Sequence, residues 1–297
     1  MPDRRETHRA KTPKQQPRRK SRGLASTDNW DEGERIAKYL ARAGIASRRE
    51  VEAMIDRREV RVDGRVLTTP AFKVTGREDI KVRGETVRAP EQTRLWLYHK
   101  PAGLITTTND PEGRRTIFEE LPKSLPRVIT IGRLDLTTEG LLLLTNSGEL
   151  ARALELPSTG LERLYRARAH GDASQNALDT LKHGVQLEDG TRYAAIEAVL
   201  ERETGTNNWI QVKLTEGQNR EVRKALERVG LKVNRLIRTQ YGPFELGDMR
   251  PGSVQEITAV QIRNALSDKI AERLLPELKQ STARKPARSP NKTRRRP

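Results

Sequence analysis

The sequence contains no cysteine, which excludes a disulfide framework and a thiolate metal site. Its four histidines are scattered without the spacing of metal ligands: His8, His99, His170 and His183. No apolar run approaches the length of a membrane-spanning helix, and the first residues lack the apolar core of a signal peptide. These absences favour a protein of a reducing cytoplasm that does not enter a membrane.

Common nucleotide-binding patterns are also missing. The sequence has no GxxxxGK phosphate loop and no GxGxxG dinucleotide motif, whose glycines let the backbone approach a phosphate closely. A Ser-His-Asp constellation cannot be assembled from it either. The function must therefore be sought in other residues.

Positive charge is what the chain has in excess, with a formal net charge of +17. Residues 1–29 carry +6 and residues 279–297 carry +8. Both segments are rich in Pro, Ser, Gln and Arg and poor in apolar residues, which predicts disordered tails. Basic arms of this kind bind phosphate backbones without reading sequence, and solubilising tails are the alternative. The body between them is only mildly basic, so its function rests on its sites.

The first ordered unit is predicted to contain two short helices and a hairpin. The stretch "ERIAKYLARAG" places apolar residues on one helical face and ends at Gly44. Ser47 and Glu50 have the spacing of a capping box at the start of a second helix. A hairpin with Asp63-Gly64 at its turn follows.

Cations cluster on this unit, with Arg35 and Lys38 on the first helix and Arg48 and Arg49 at the start of the second. Helix N-termini favour anions, so this cluster could bind phosphate. A solvated helix face is the alternative.

Beyond a polar linker the pattern changes to short strands, turns and a few helices. The stretch "NREVRKALERVG" predicts an amphipathic helix that ends at Gly230. Strands are predicted at "LWLYHKP", "GLLLLT", "LYRARAHG", "WIQVKLTEG" and "VNRLIRTQYG". Because strands outnumber helices and their connections are irregular, we expect an α+β domain on a mixed sheet, not a doubly wound one.

Asp135 is the most informative single residue, because it stands where the chain enters the apolar run Leu141 to Leu144. A carboxylate at a buried strand costs energy unless it is paired and hydrogen-bonded. One interpretation is a turn aspartate before a strand. Another is a glycosidase pair with Glu139, although a four-residue spacing does not place the two carboxylates across a cleft.

The third interpretation is a single-aspartate enzyme, in which Asp135 is ionised, desolvated and held by a cation. Arg133 lies two residues before it. Arg220 and Arg223 are predicted to lie on one face of the late helix, with Arg223 bordering the apolar stripe. The residues alone leave all three interpretations open.

Two stretches of the sequence resemble known families. "RIAKYLARAGIASRREVEAMIDRREVRVDGRVL" resembles the RNA-binding domain of the S-four type. The family of bacterial ribosomal RNA pseudouridine synthases that carry such a domain is matched, in order, by "YHKPAGLITTT", "IGRLDLTTEGLLLLTN", "LYRARAHG" and "LTEGQNREVRKALERVG". Within this family the motifs and their spacing most resemble those of the synthases that act on the large ribosomal subunit.

The resemblance implies that the protein isomerises a specific uridine in ribosomal RNA, with the large-subunit (23S) RNA as the expected substrate. The base would flip out, detach from C1′, rotate and rejoin through C5. The resemblance implies neither a metal nor an organic cofactor. A ribosome-assembly factor that binds without catalysing is the alternative.

The resemblance also implies roles for individual residues. Asp135 would be the catalytic aspartate, Tyr165 would stack on the target base, and Arg223 would pair with the aspartate. Tyr165 could instead be a core tyrosine and Arg223 a surface arginine. The further residues expected at the site floor or in contact with RNA are Lys100, Arg133, Asn219, Arg220, Arg35, Lys38, Ser47, Arg48 and Arg49. An assembly factor would be free to lose Asp135, Tyr165 and Arg223, yet all three are present.

The predicted organisation begins with a disordered basic tail over residues 1–33 and an S-four-type domain over 34–83. A linker at 84–93 leads to a catalytic domain with a mixed, largely antiparallel sheet over 94–265. Residues 266–297 are expected to form a C-terminal helix and a second disordered basic tail. We expect a monomer whose partner is ribosomal RNA or a ribosomal assembly intermediate.

Overall fold

The computed structural model describes residues 33–204 and 207–278 of the chain. The predicted disordered tails lie outside the described residues. Within the described residues, no helix is long and apolar enough to cross a membrane.

The N-terminal unit contains the two predicted helices and the predicted hairpin. Its elements are β1 (Glu34–Arg35), α1 (Ile36–Arg42), α2 (Arg48–Asp56), β2 (Val60–Val62), β3 (Arg65–Val66), β4 (Lys73–Val74), β5 (Ile80–Val82) and β6 (Glu85–Thr86). An antiparallel sheet runs in the order β3-β2-β5-β6, and β1 pairs with β4. The apolar stripes of both helices pack on the sheet in a core of their own.

The start of α2 shows half of the predicted capping box. The Ser47 hydroxyl accepts the Glu50 N–H at 3.1 Å, which satisfies one of the free donors of the helix end. The Glu50 carboxylate does not return to Ser47, because Arg57 donates to it at 2.8 Å.

The C-terminal unit is built on one large sheet flanked by helices. Its elements in the first half are β7 (Leu95–Lys100), α3 (Ile117–Glu120), β8 (Ile129–Ile131), β9 (Thr138–Thr145), α4 (Gly148–Glu155), β10 (Arg163–His170) and α5 (Gln175–Asp179). The second half adds β11 (Val185–Gln186), β12 (Arg192–Tyr193), β13 (Glu197–Thr204), β14 (Asn207–Leu214), α6 (Glu221–Arg228), β15 (Lys232–Tyr241), β16 (Phe244–Glu245), β17 (Val254–Ile257) and α7 (Ala259–Leu266).

The predicted mixed, largely antiparallel sheet is confirmed. Its strand order is β13-β14-β10-β15-β9-β7-β17, with β16 on β15 and β8 on β9. Among the described strands of this sheet, only β9 and β15 pair in parallel. Strand β9 begins three residues after Asp135, and its first residues pair with β15. This pairing therefore helps to set the position of Asp135.

Strand β9 is buried on both faces, as its apolar run predicts. Leu142 and Leu144 belong to one core, and Leu141 and Leu143 belong to the core on the opposite face. Gly140 allows β15 to approach, because a Cβ at this residue would lie 2.3 Å from the Arg238 carbonyl oxygen. Its φ of 101° is also one that only glycine adopts readily.

Of the segment 266–297, predicted to hold a C-terminal helix and a tail, the structure describes residues 266–278. Helix α7 ends at Leu266, where that segment was expected to begin. A full capping box between Thr258 and Gln261 starts the helix early, and Ile262 and Leu266 bury its apolar stripe. Between α7 and residue 278, where the described residues end, the chain makes a short 3-10 turn at Glu272–Leu274.

Candidate active site

A small cavity of about 60 Å³ lies where β10 and β14 meet the start of α6 and the turn before β9. Its lining includes Asp135, Tyr165, Arg220 and Glu221. A larger cavity of about 430 Å³ lies between the linker and α7. That cavity contains none of the predicted catalytic residues.

The backbone of the Asp135 turn is held by Lys100, whose side chain is fully buried at the end of β7. The three N–H groups of the Lys100 ammonium face the carbonyl oxygens of Pro101 (3.0 Å), Asp135 (3.1 Å) and Thr138 (2.9 Å), and the longer contact to Leu136 (3.4 Å) shares one of these donors. Such hydrogen bonds from a charged donor are stronger than neutral ones. Lys100 therefore ties the turn to the sheet and leaves the Asp135 carboxylate free to face the cavity.

Burial also changes the acidity of Lys100. Loss of hydration lowers its pKa to about 8, and the nearby Asp135 and Glu139 carboxylates oppose that shift. The ammonium is the form with three donors, and the neutral amine has two. The hold on the turn is therefore strongest below this pKa.

Among the described residues, Arg220 forms the salt bridge to the Asp135 carboxylate. The Arg220 Nη1 atom lies 3.8 Å from the Asp135 Oδ2 atom. Arg220 precedes α6 as its N-cap in a left-handed conformation, with φ of 52°. It is thus not part of the helix face predicted to hold both arginines, and its backbone turns the side chain toward the cavity. The pair is half exposed, so its attraction is weak and screened by salt.

Arg223 contacts the turn that contains Asp135 through Thr137. Its guanidinium donates to the Val233 carbonyl oxygen at 3.1 Å and to the Thr137 hydroxyl at 3.0 Å. Burial lowers its pKa, the neighbouring Arg220 charge lowers it further, and the Asp135 carboxylate acts in the opposite direction. In this structure Arg223 contacts Thr137, two residues beyond Asp135, and its predicted pairing with Asp135 stays a prediction.

Glu139 does not complete a second carboxylate at the cavity. It forms a two-point salt bridge with Arg235 of β15, with both N–O distances at 2.9 Å. Arg235 holds the pKa of Glu139 below its usual value. A glycosidase needs a raised pKa on one of its two carboxyl groups, so this arrangement does not favour that interpretation.

Tyr165 of β10 contacts both the hydrophobic core and the cavity. Its side chain is 8% exposed and belongs to the core beneath the sheet. It also lines the cavity that contains Asp135. The predicted stacking role and the alternative core role are therefore both compatible with its position.

Two further residues of this domain were predicted to contact RNA, Arg133 and Asn219. Arg133 lines the cavity. The Asn219 carbonyl oxygen accepts the Tyr193 hydroxyl at 3.5 Å, which anchors the loop before α6. In the described part of the chain, no group of three or more His, Cys, Asp or Glu side chains could hold a metal ion.

The N-terminal unit displays only part of its predicted phosphate-binding cluster. Arg35, Arg48 and Arg49 are exposed, while Ser47 caps α2. Lys38 forms salt bridges with Glu34 at 3.0 Å and with Glu149 of α4. Its ammonium is thus engaged by two carboxylates, because this face of α1 lies against the C-terminal unit.

Glu221 is the residue of the site that the sequence did not single out. It is the first residue of α6 and is 97% buried, since its exposed fraction is 3%. Burial raises the pKa of its carboxyl group. A glutamate in the first turn of a helix is an ordinary capping signal, so nothing in the local pattern marks it as buried beside Asp135.

Comparison with protein families supports the two-part organisation. A family model described as RNA pseudouridylate synthase matches residues 94–228. A model described as S4 domain matches residues 34–80.

Comparison with curated proteins and solved structures agrees. An uncharacterized RNA pseudouridine synthase of Rickettsia typhi is 45% identical over 239 residues, which cover 80% of this chain and 96% of that protein. Ribosomal large subunit pseudouridine synthase B of Salmonella typhi is 45% identical over 220 residues, 72% of this chain and 75% of the relative. A crystal structure of pseudouridylate synthase has a TM-score of 0.55 and 21% identity, and the match covers 78% of this chain and 99% of that one. This last likeness concerns the fold alone.

Proposed function

Because the chain belongs to the RNA pseudouridylate synthase family and is an isomerase acting on RNA, we propose that its substrate is one uridine of large-subunit ribosomal RNA. The support for this substrate is the similarity to the Salmonella enzyme named for the large subunit. The S4 domain ahead of the synthase domain and the strongly basic composition fit a large RNA partner.

The observation that carries the catalytic proposal is the placement of Asp135. Its carboxylate faces a small cavity beside Tyr165, while its backbone is fixed by the buried Lys100. In the reaction the bond from C1′ to N1 breaks and the bond from C1′ to C5 forms; C5 loses its proton and N1 gains one, so the product is an isomer of uridine. Asp135 is the group we assign to attack on the ribose or the base, or to assistance of detachment.

A base inside an RNA stack cannot reach Asp135, so the target uridine must flip out. Unstacking costs a few kcal/mol, and stacking on an aromatic ring recovers about 1–3 kcal/mol. Tyr165 is the aromatic residue of the cavity wall and is assigned this role. Arg223 is assigned to hold the turn through Thr137. Arg133 and Arg220 line the cavity and are assigned contact with the RNA, together with Asn219 of the same loop.

The N-terminal domain is assigned to docking on structured RNA. Arg35, Arg48 and Arg49 provide exposed cations that can contact phosphate groups. Lys38 is assigned a smaller part, since Glu34 and Glu149 already neutralise it. Selection of one uridine then rests on RNA shape, as is usual for RNA recognition.

The substrate is tested by mapping pseudouridines in all ribosomal and transfer RNAs from cells with and without this gene. We expect one position of large-subunit RNA to be unmodified in the deletion strain. Its modification should return with the intact gene and not with the Asp135→Asn variant. Loss of a position in small-subunit or transfer RNA instead would show that the proposed substrate is wrong.

Tyr165 distinguishes stacking from core packing. We expect Tyr165→Phe to keep the aromatic face and the fold, and Tyr165→Ala to lose most activity through lost stacking of about 1–3 kcal/mol. Turnover and melting temperature are measured for both variants. If Tyr165→Ala melts far below the parent yet is fully active when folded, Tyr165 serves only the core.

A further inference from the structure

We propose that Glu221 is a positioning residue for the active site, holding the loop before α6 so that Arg220 reaches Asp135. The inference rests on the proposed role of Asp135 and adds a residue to that site. Glu221 itself is not assigned to touch the substrate.

The first support is the set of hydrogen bonds that Glu221 makes. Its Oε2 atom accepts the backbone N–H groups of Gly217 at 2.8 Å and Gln218 at 2.6 Å. Both donors belong to the loop that joins β14 to α6 and contains Arg220. The carboxylate therefore closes this loop onto the first turn of the helix.

The second support is the cost of placing a carboxylate there. Glu221 is almost fully buried, and its Oε1 atom has no hydrogen-bond partner within the described residues. A buried acceptor without a partner costs about 1–3 kcal/mol. The two N–H groups of Gly217 and Gln218 offset this cost, so the buried carboxylate and the conformation of the loop depend on each other.

The third support is the backbone of Arg220. A left-handed conformation at a non-glycine residue costs on the order of 1–3 kcal/mol and persists only where its surroundings impose it. The residues just before Arg220 are held in this way: the Glu221 carboxylate accepts the Gly217 and Gln218 N–H groups, and the Tyr193 hydroxyl makes a long contact of 3.5 Å with the Asn219 carbonyl oxygen. A cation at a helix N-terminus is also unfavourable, yet Arg220 stands there, 3.8 Å from Asp135.

The three observations describe one chain of contacts. Glu221 fixes Gly217 and Gln218, the fixed loop imposes the left-handed turn at Arg220, and that turn directs the guanidinium over Asp135. Without the Glu221 carboxylate the loop can relax, and Arg220 leaves the aspartate. The effect on catalysis is then transmitted through position, where a displacement of about 1 Å can cost 100-fold in rate.

A double-mutant cycle tests this directly, with kcat and KM measured on an unmodified large-subunit ribosomal RNA transcript. The variants are Glu221→Leu, Arg220→Gln and their combination. We expect Glu221→Leu to lower kcat roughly 10- to 100-fold with KM little changed. The double variant should be no worse than the poorer single variant, because both changes remove the same contact.

Two matched variants separate positioning from stability. Glu221→Gln keeps an oxygen that can accept both N–H groups and should restore most of kcat. Glu227→Leu changes an exposed glutamate of the same helix and should be as active as the parent. Hydrogen exchange of the Gly217 and Gln218 amides should be slow in the parent and in Glu221→Gln, and fast in Glu221→Leu.

The outcomes are distinct. Additive losses in the cycle, or a folded Glu221→Leu with parental kcat and protected amides, would overturn the proposal. If Glu221→Leu does not fold, Gly217→Ala disturbs the same loop through its φ of 82° and should couple to Arg220→Gln in the same way. A parent that does not modify this RNA would refute the proposed substrate, while amide exchange would still decide the role of Glu221.

Discussion

Replacing Asp135 with asparagine is expected to abolish pseudouridine formation while leaving the fold and RNA affinity nearly unchanged. Asparagine keeps the size and the backbone of the turn but has no negative charge and is a poor nucleophile. The backbone contacts of Lys100 to this turn involve only carbonyl oxygens, so the substitution leaves them in place. Turnover is measured on the ribosomal RNA transcript, and affinity is measured by filter binding at the same salt concentration.

Glu139→Gln is the matched control for this substitution. It neutralises a carboxylate four residues away that is bound to Arg235 and does not line the cavity. We expect it to retain activity, with a small loss of stability at most. If the Asp135 variant turns over RNA appreciably, or if the Glu139 variant is the inactive one, the assignment of the catalytic carboxylate is wrong.

Replacing Lys100 with methionine is expected to have the second-largest effect, on stability and activity together. Methionine fills the buried space but donates no hydrogen bond, so the carbonyl oxygens of Pro101, Asp135, Leu136 and Thr138 lose their shared donor. Each buried group left without a partner costs about 1–3 kcal/mol, partly recovered by relaxation. We expect the free energy of unfolding to fall by roughly 2–4 kcal/mol and activity to fall sharply, because the catalytic turn loosens.

Urea denaturation measures this stability loss, and turnover well below the melting temperature measures the effect on the turn. Lys182→Met is the control, since Lys182 is exposed and bound only to Asp179 at the surface. Its effect should stay within about 0.5 kcal/mol. Equal stability of the Lys100 variant and the parent would show that the buried ammonium does not hold the turn.

The pH dependence of the parent offers a further check on Lys100. A lysine whose pKa is lowered to about 8 is charged below that pH and neutral above it. Turnover should therefore decline as pH rises through about 8, when one donor to the turn is lost. The free energy of unfolding should change in the other direction. Between about pH 8 and the ordinary pKa of 10.5, the folded state binds fewer protons at Lys100 than the unfolded state does, so this group makes the fold more stable as pH rises. Melting curves over the same range distinguish a loosened turn from unfolding.

Much of the fold could be predicted because its signals are local. The stripe of α6, the capping residue of α2 and the hairpin turn at Asp63-Gly64 each depend on neighbours within a few residues. The mixed sheet followed from the number and irregular spacing of apolar runs. The start of α7 was not predicted, because the capping box that sets it lies outside the segment expected to hold a C-terminal helix.

Asp135 could be singled out as a candidate because it stands where the chain enters the apolar run Leu141 to Leu144, and the family resemblance then gave it an expected role. Its supporting residues were harder to assign, since spacing on an ideal helix places Arg220 and Arg223 on one face. In the structure Arg220 lies before the helix in a left-handed turn, and its side chain forms the salt bridge to the Asp135 carboxylate. A local turn conformation that is imposed by distant anchors leaves no periodic signal in the sequence.

The sequence by itself determined the order of the elements, the two domains of the family and the identity of the candidate aspartate. Only the tertiary structure decided that Lys100 reaches the turn 35 residues away and that Lys38 is bound by Glu149, 111 residues away. It also decided that a buried Glu221 closes the loop beside Asp135. The physical reason is that helix periodicity and capping depend on interactions between residues that are close in the sequence. The pairing of a buried charge depends instead on which distant carbonyl or carboxylate oxygens the packed sheet brings within about 3 Å of it.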